Sequence, residues 1–495
     1  MKNTFEIQGS NTSEPSPRGS LHAAVFLNVQ TNCGFIPEPP AAAVIETAPV
    51  EPAPLPPRQQ QQQPLKPKPL VSFVVSTFNR RDVLLKTLSQ VAHCGLKAEE
   101  FETLVVDNAS TDGTSVEVRQ RYPMIHLLHQ EYNGGPVSKN LAIRSARGRY
   151  VIFLDDDSYP TPGSVARMMK HFDANPRLGA AVFTITLPDG SRECSAYPNV
   201  FIGCGTGFRR TALEQVGGLP ADFFMQAEEY DLSLRLLDAG YEIRTFDDLH
   251  VTHLKSPTAR ASERVTMFDV RNNLVLITRY FPRRWVLPFA KDWLRRYRMI
   301  ATGKGHEVAY YKGLIGGLAR TLRPGNRRPI NEATFEKLVK LNETELRLAR
   351  AVREHNLKRV LYADFGKNML PFYLAAKRCG IEVVAIADER LGTPPAKVTE
   401  IDDGGLVRSP RGPKVRRYRG IPILRDAACT MLDYDAVIVS NLSPVHAAQR
   451  RNAWRTRLGH DTRLVIDLFE DDRYASVTFA DRASRGFHQT VARSA

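Results

Sequence analysis

Asp155, Asp156 and Asp157 set three carboxylates side by side in the chain. The residues before them, Tyr150 to Leu154, form the short apolar run of a buried strand, and Pro160 and Pro162 prevent it from continuing as helix or inner strand. The acids therefore stand at a strand's C-terminal end, which in an open α/β sheet faces the ligand crevice. Adjacent acids repel one another and lose hydration there, so a hard cation with oxygen ligands is the natural compensation. Alone, the triplet would read more readily as a solvated acidic turn.

A second acidic group lies in GGLPADFFMQAEEYDLSLRLLDAGYEIR. Leu232, Leu236 and Ala239 share one helical face and Gly240 stops the helix, so Glu228, Glu229 and Asp231 fall in its first turn. Acids in that position also complement the helix dipole, a purely structural role. Three of them behind an aromatic loop are more than that role needs.

These side chains require a scaffold, and the flanking sequence describes one. VSFVVSTFNR is a buried strand, and in RDVLLKTLSQV the apolar residues Val83, Leu84, Leu88 and Val91 recur at helical spacing. ETLVVDNASTDGTSVEVRQRY repeats the strand, turn and helix. IHLLHQEYNGG with PVSKNLAIRSARG repeats them again, and RYVIFLDDD is the fourth strand. Such alternation predicts a doubly wound, mostly parallel α/β sheet. A helix from Gly163 to Phe172, a strand from Leu178 to Thr186 and the Gly-rich FIGCGTGFRR follow.

From Arg271 the chain becomes basic and amphipathic. Trp285, Leu287, Phe289, Trp293 and Tyr297 alternate with arginines, a pattern that fits either a helix lying in a membrane interface or one packed on the sheet. A second, smaller α/β unit begins at RVLYADFG and continues through IEVVAIADE and YDAVIVSN. Its first turn, DFGKNM, lacks the GxGxxG glycines that let a pyrophosphate approach. The expected organisation is a disordered Pro- and Gln-rich arm over 1–68, a catalytic unit over 69–270, a basic helical segment over 271–356 and a Rossmann-like unit over 357–495.

The 495 residues are enough for two or three domains, and the formal charge of +15 suits an anionic partner. No recognisable nucleic-acid module accompanies the basic patch, so nucleic acid is not expected. The six cysteines have no metal-ligand spacing and read as reduced thiols of a cytosolic protein. No apolar run reaches the length of a membrane span and no secretion signal is evident, which predicts a cytoplasmic protein, with contact to the inner face of the membrane as an option.

Taken together, VSFVVSTFNR, VVDNASTDGT, NGGPVSKNLAIRSARGRYVIFLDDD, GGLPADFFMQAEEYDLSLRLLDAGYEI and VTH make residues 70 to 280 resemble the family 2 inverting glycosyltransferases with a GT-A fold. The resemblance implies a nucleotide diphosphate sugar donor, a UDP- or dTDP-sugar first of all, and a carbohydrate or lipid-linked acceptor. By the same resemblance Thr77, Asn79, Asp107, Asn108, Asn133, Gly134 and Lys139 border the donor. Many relatives carry Asp where this chain has Asn108. Lys139 stands where relatives often have Arg, keeping the charge but losing the planar fork.

The acidic triplet corresponds to the family's DxD element. Asp155 and Asp157 are its motif acids, with Asp156 between them, and Asp157 is the first choice for direct coordination of Mn²⁺ or Mg²⁺. His253 of VTH matches a histidine that many relatives bring to the same metal, and imidazole favours manganese. Glu228 and Glu229 match the pair whose second member is the catalytic base; Asp231 stays open as an alternative base or as an acid that fixes the helix. A nucleotide-sugar-binding protein without transfer is the alternative from another class. A sugar nucleotidyltransferase is disfavoured because STFNRRD has no glycine loop.

Overall fold

A computed structural model describes residues 68–255, 262–394, 415–470 and 474. Apart from Lys68, the expected N-terminal arm lies outside these residues. The first strand–helix alternation builds β1 (Val71–Thr77), α1 (Arg81–Val91), β2 (Phe101–Asn108), α2 (Thr114–Arg121), β3 (His126–Gln130), α3 (Lys139–Ser145) and β4 (Tyr150–Asp155). The chain continues through β5 (Ser158–Pro160), α4 (Ser164–Ala174), β6 (Leu178–Thr186), β7 (Arg192–Glu193), β8 (Thr206–Arg209), α5 (Arg210–Val216), α6 (Glu228–Asp238) and β9 (Glu242–His253).

These strands form one nine-stranded sheet in the order β3-β2-β1-β4-β8-β6-β9-β5, with β7 beside β6. The four strands from β3 to β4 run parallel. β1 has to be apolar on both faces, because helices cover both. Val71, Phe73 and Val75 pack with Leu84, Leu88 and Val91 of α1, while Val74 joins the core on the opposite face.

Register then assembles the site. Thr77 pairs with Asp107, Ser76 with Asp155, and Ser158 of the short β5 lies opposite His253 at the end of β9. The sharp reversal after the acids, and not sequence proximity, brings the histidine to them.

Five helices follow: α7 (Glu263–Tyr280), α8 (Arg283–Lys304), α9 (Glu307–Thr321), α10 (Glu332–Val339) and α11 (Leu341–His355). The second sheet is built from β10 (Arg359–Ala363), α12 (Met369–Cys379), β11 (Glu382–Ala387), β12 (Arg417–Tyr418), β13 (Ile421–Leu424), α13 (Asp426–Cys429), β14 (Ala436–Val439), α14 (Pro444–Leu458) and β15 (Leu464–Ile466). Its order is β12-β13-β11-β10-β14-β15, parallel except for the β12–β13 hairpin.

Of the two arrangements open to α8, a membrane interface or packing on the protein, it adopts packing. Trp285, Phe289, Trp293 and Tyr297 are buried, and only Leu287 of the five apolar residues named is exposed. Phe281 packs against Phe289, Trp293 and Phe335. The apolar face of α8 is consumed by packing between the two sheets, and one continuous core holds Val74, Trp293 and Tyr362. Arginines left over by this packing, Arg295 and Arg298, join Arg416, Arg417 and Arg419 around a basic groove of about 520 Å³. Among the described residues no helix is long and apolar enough to cross a membrane.

Candidate active site

The three acids diverge into three environments. Asp155 is part-exposed and accepts from Lys139 Nζ at 2.8 Å. Asp156 is buried, accepts from the Thr77 hydroxyl at 2.9 Å and pairs with Arg80. Burial pushes its carboxyl up to about 7 in spite of Arg80 and Thr77. Asp157 lies 2.8 Å from Arg80 and 3.2 Å from His253 Nε2. Burial works against its charge, yet the bonds to His253 and Arg80 hold it down at about 2.

His253 is gripped from both sides, since Nδ1 lies 3.0 Å from Glu193 of β7. Burial opposes its charge, but bonds to Asp157, Cys204 and Glu193 outweigh that and push the imidazole up to about 12. A carboxylate on one ring nitrogen fixes the tautomer that presents the other, the usual support behind a metal-ligating histidine. Ligand atoms of Asp155, Cys204 and His253 lie within 4.8 Å of one another. Oxygen and imidazole donors converging, with Glu193 behind the imidazole, fit a divalent ion, whose arrival must displace the imidazole proton.

The expected donor-side residues close a network at the ends of β1 and β2. Asn79, with φ of 51°, turns the chain and accepts from Thr111 N at 2.7 Å. Buried Asp107 accepts from Ser110 N at 3.0 Å and from the Ser115 hydroxyl. Asn108 donates to the Thr77 carbonyl at 3.1 Å and accepts from Gly134 N at 3.2 Å, tying three loops together. Asn133 caps its own turn by accepting from Gly135 N at 2.9 Å. Gly135 has φ of 64°, and a Cβ there would meet the Phe224 carbonyl at 2.6 Å, so only glycine lets the aromatic loop approach. Lys139 is buried, and its ammonium serves Asp155.

At α6 the turn that presents the acids is strained. Gln226 and Ala227 both have positive φ, 69° and 66°. Buried Asn272 of α7 holds them by donating to the carbonyls of Met225 and Gln226 at 2.7 and 2.8 Å. Glu228 is buried, its Oε2 has no hydrogen-bond partner among the described residues, and burial beside Glu229 pushes its carboxyl well above the ordinary range. Glu229 is half-buried, and a Cβ on Gly203 would sit 3.7 Å from its Oε1. Gly203 and Cys204 thus link Glu229 to the cluster of Asp155 and His253. Asp231 is fully engaged: one oxygen pairs with Arg235 at 2.7 Å, the other with Arg279 at 3.1 Å and the Tyr280 hydroxyl at 2.8 Å.

Sequence reasoning missed Arg80, Glu193, Cys204 and Asn272. Arg80 alone left a signal, since STFNRRD puts two arginines directly after the strand that flanks the acids. Glu193 and Asn272 come from elements distant in sequence and left none.

Residues 72–213 match the model of glycosyl transferase family 2. The chain is similar to TuaG of Bacillus subtilis (strain 168), named as a teichuronic acid biosynthesis glycosyltransferase, with 39% identity over 95 residues, 18% of this chain and 36% of that one. It is also similar to glycosyltransferase AglE of Haloferax volcanii, with 25% identity over 209 residues, 38% of this chain and 68% of AglE. A solved structure of S. aureus TarS 1–349 in complex with UDP-GlcNAc aligns at 17% identity and a TM-score of 0.41, covering 63% of this chain and 92% of that one. The chain spans 36% of TuaG and 62% of an uncharacterized Haemophilus influenzae glycosyltransferase, so each likeness is to part of the relative.

Proposed function

We propose that the chain is a metal-dependent inverting glycosyltransferase, moving a sugar from a nucleotide diphosphate sugar to an acceptor hydroxyl in glycan, polysaccharide or glycolipid synthesis. The observation that carries this reading is the convergence of Asp155, Asp157 and His253 at one sheet edge, with Glu229 joined to them through Gly203 and Cys204. The family 2 match over residues 72–213 supports it.

Asp155, Asp157 and His253 would hold Mn²⁺ or Mg²⁺, which when bound supplies neutralising charge to a departing diphosphate. The loops joined by Thr77, Asn79, Asp107, Asn108, Asn133 and Gly134 border a UDP- or dTDP-sugar. Lys139 acts there through Asp155, and Arg80 through Asp156 and Asp157. Inversion needs one displacement, with the acceptor's proton removed as its oxygen attacks, so a single carboxylate base suffices. Glu229 is that base. The engagement of Asp231 with Arg235, Arg279 and Tyr280 supports a role for it in anchoring α6 instead. The second sheet we read as Rossmann-like from its strand order.

The test is nucleotide release from UDP-, dTDP- and GDP-sugars with Mn²⁺, Mg²⁺ or EDTA, comparing the wild type with Asp157→Asn and Glu229→Gln. Release from one donor, abolished by EDTA and by both substitutions, is expected. Tight donor binding with no turnover under any condition would turn the reading toward a nucleotide-sugar sensor.

A further inference from the structure

Transfer as described engages the first sheet and leaves the second without a task. In an open parallel sheet a ligand sits at the C-terminal strand ends where the strand order reverses, here between β10 and β14. That crevice is occupied by the chain itself. Trp293 Nε1 and the Tyr197 hydroxyl donate to the Lys367 carbonyl at 2.9 and 3.3 Å, and Arg296 Nε donates to the Phe365 carbonyl at 3.0 Å. Cys194 lies 2.7 Å from Ser443 at the start of α14. A ligand of the second sheet needs another place.

The basic groove of about 520 Å³ beside the edge strand β12 supplies one. One wall is a ridge of α8 with Arg295, Arg298 and Thr302, and the other is the β12–β13 hairpin with Arg417, Arg419 and the preceding Arg416. The Tyr418 hydroxyl of the hairpin donates to Asp292 of α8, which fastens one wall to the other. Arg416 and Arg417 are steadied by donating to the carbonyls of Leu391 and Gly420 at 3.0 and 2.8 Å.

Two observations set these arginines apart. Arg80, Arg279 and Arg450 are paired with Asp156, Asp222 and Asp426, whereas among the described residues no carboxylate pairs with any of the five and none lines the groove. Asp292 lies close enough to act on Arg295 and Arg419, yet it is buried and accepts from Tyr418. Like charges gathered without a counterion repel one another, and an anion is the natural compensation.

The second observation is the hairpin turn. Arg419 and Gly420 are its two central residues, with φ of 49° and 92°. Positive φ at both positions favours Asn-Gly, so an arginine there is strained. Its guanidinium lies 5.0 Å from the ring centre of Tyr373, and its buried Nε has no hydrogen-bond partner among the described residues. The turn gains nothing from this arginine, and the groove gains a fifth charge.

We propose that the groove binds an anion carrying at least two phosphate groups, held between the arginines of α8 and those of the hairpin. The planar guanidinium fork matches a pair of phosphate oxygens, and a cavity of this size admits two phosphates with the groups that bear them. Five positive charges exceed what one phosphate neutralises, which sets the minimum at two. A soluble diphosphate and neighbouring headgroups of an anionic lipid surface present this chemistry alike, and the test separates them. None of the five arginines is among the residues assigned to donor, metal or acceptor, so the proposal stands independently of the transferase reading.

The experiment uses the full chain in EDTA, so that no metal ion brings the probe to the acids of the first sheet. Inorganic pyrophosphate is titrated by calorimetry into the wild type, Arg295→Gln/Arg298→Gln and Arg416→Gln/Arg417→Gln. A control, Lys86→Gln/Lys170→Gln, removes the same charge from exposed lysines of α1 and α4. The same four proteins are floated with phosphatidylglycerol–phosphatidylcholine vesicles and with phosphatidylcholine alone. Circular dichroism checks each fold, and the single substitutions Arg298→Gln and Arg417→Gln replace any double variant that departs from the wild type. Each groove variant should bind about tenfold or more weakly, the loss expected for a hydrogen bond to a charged group, with the control within about twofold of the wild type. Pyrophosphate binding weakened in both groove variants assigns a soluble diphosphate. Flotation on phosphatidylglycerol weakened in both, with no pyrophosphate bound, assigns lipid headgroups. A wild type that takes up neither probe, a groove variant that binds as well as the wild type, or a control weakened as much as the groove variants overturns the proposal.

Discussion

The two sheets carry the same construction to opposite ends. At the C-terminal edge of the first, Thr77, Asp107, Asp155 and Asp157 stand at or just past strand ends tied together by side-chain bonds, and the acids gather around a site fit for a cation. At the corresponding edge of the second, Trp293 and Arg296 of α8 and Tyr197 and Cys194 of the first unit fill the crevice with polar and aromatic contacts. A strand-order reversal makes a crevice, and the loops around it decide whether that crevice takes a ligand or a neighbouring element. The glycines absent from DFGKNM are consistent with this division, since a turn that clasps an aromatic helix needs no close approach to a pyrophosphate.

The largest effect expected from breaking the contrast lies in the first sheet. Glu229→Gln should lower turnover by about 10²–10⁴-fold, the usual worth of a general base, while donor binding measured by calorimetry stays within a few-fold of the wild type. Loss of binding in step with turnover would move Glu229 from the acceptor to the donor side. Next comes the contact between the sheets. Trp293→Ala removes a buried aromatic ring together with the bond to the Lys367 carbonyl, and should cost about 3–5 kcal/mol in a denaturant titration. A cost below about 1 kcal/mol would show that the sheets do not depend on this contact.

Asp231→Asn follows in size. Its carboxylate is buried between Arg235, Arg279 and Tyr280, so the substitution leaves the half-buried Arg235 without its carboxylate partner and Arg279 with Asp222 alone. We expect about 3 kcal/mol of lost stability. If Asp231 only anchors α6, activity per folded molecule should survive at temperatures where the variant remains native. A folded variant without turnover would return Asp231 to the role of base.

Much of this architecture is legible in the sequence, and what escapes has a physical reason. Apolar runs interrupted by turn residues reveal β1, β2 and β4, and the Pro-bounded end of β4 reveals the acids, because period and punctuation are local signals. Glu228 and Glu229 are legible as the opening of α6. The partners of the acids are not: Arg80 meets Asp157 only after β1 and β4 pair, and Glu193 meets His253 only after β6 pairs with both β7 and β9. Lys139 shows the same limit, since a lysine at a helix start looks available for phosphate until Asp155 is found 2.8 Å away. The aromatic stripe of α8 could not be settled either. Helical spacing reports that a face is apolar, and only packing reports whether protein or lipid covers it.

The smallest expected effect concerns how the second sheet is fastened, and it has the opposite sign. Asp292 of α8 is buried and accepts from the Tyr418 hydroxyl of the β12–β13 hairpin. Burial pushes its carboxyl up to about 6, with Tyr418 and three arginines pulling the other way. An acid whose folded value is raised binds a proton more readily in the folded state, so this group adds stability as pH falls from about 6 toward 3.8 and detracts above it. A rise of that size corresponds to about 3 kcal/mol at most. Asp292→Asn loses part of the Tyr418 bond, so the net gain at neutral pH should be about 1 kcal/mol. Denaturant midpoints at about pH 5 and about pH 7.5 should draw closer together in the variant than in the wild type. If they do not, the ionised Asp292 is already compensated by Arg295, Arg296 and Arg419, and the second sheet is fastened by a charge network instead of by a strained acid.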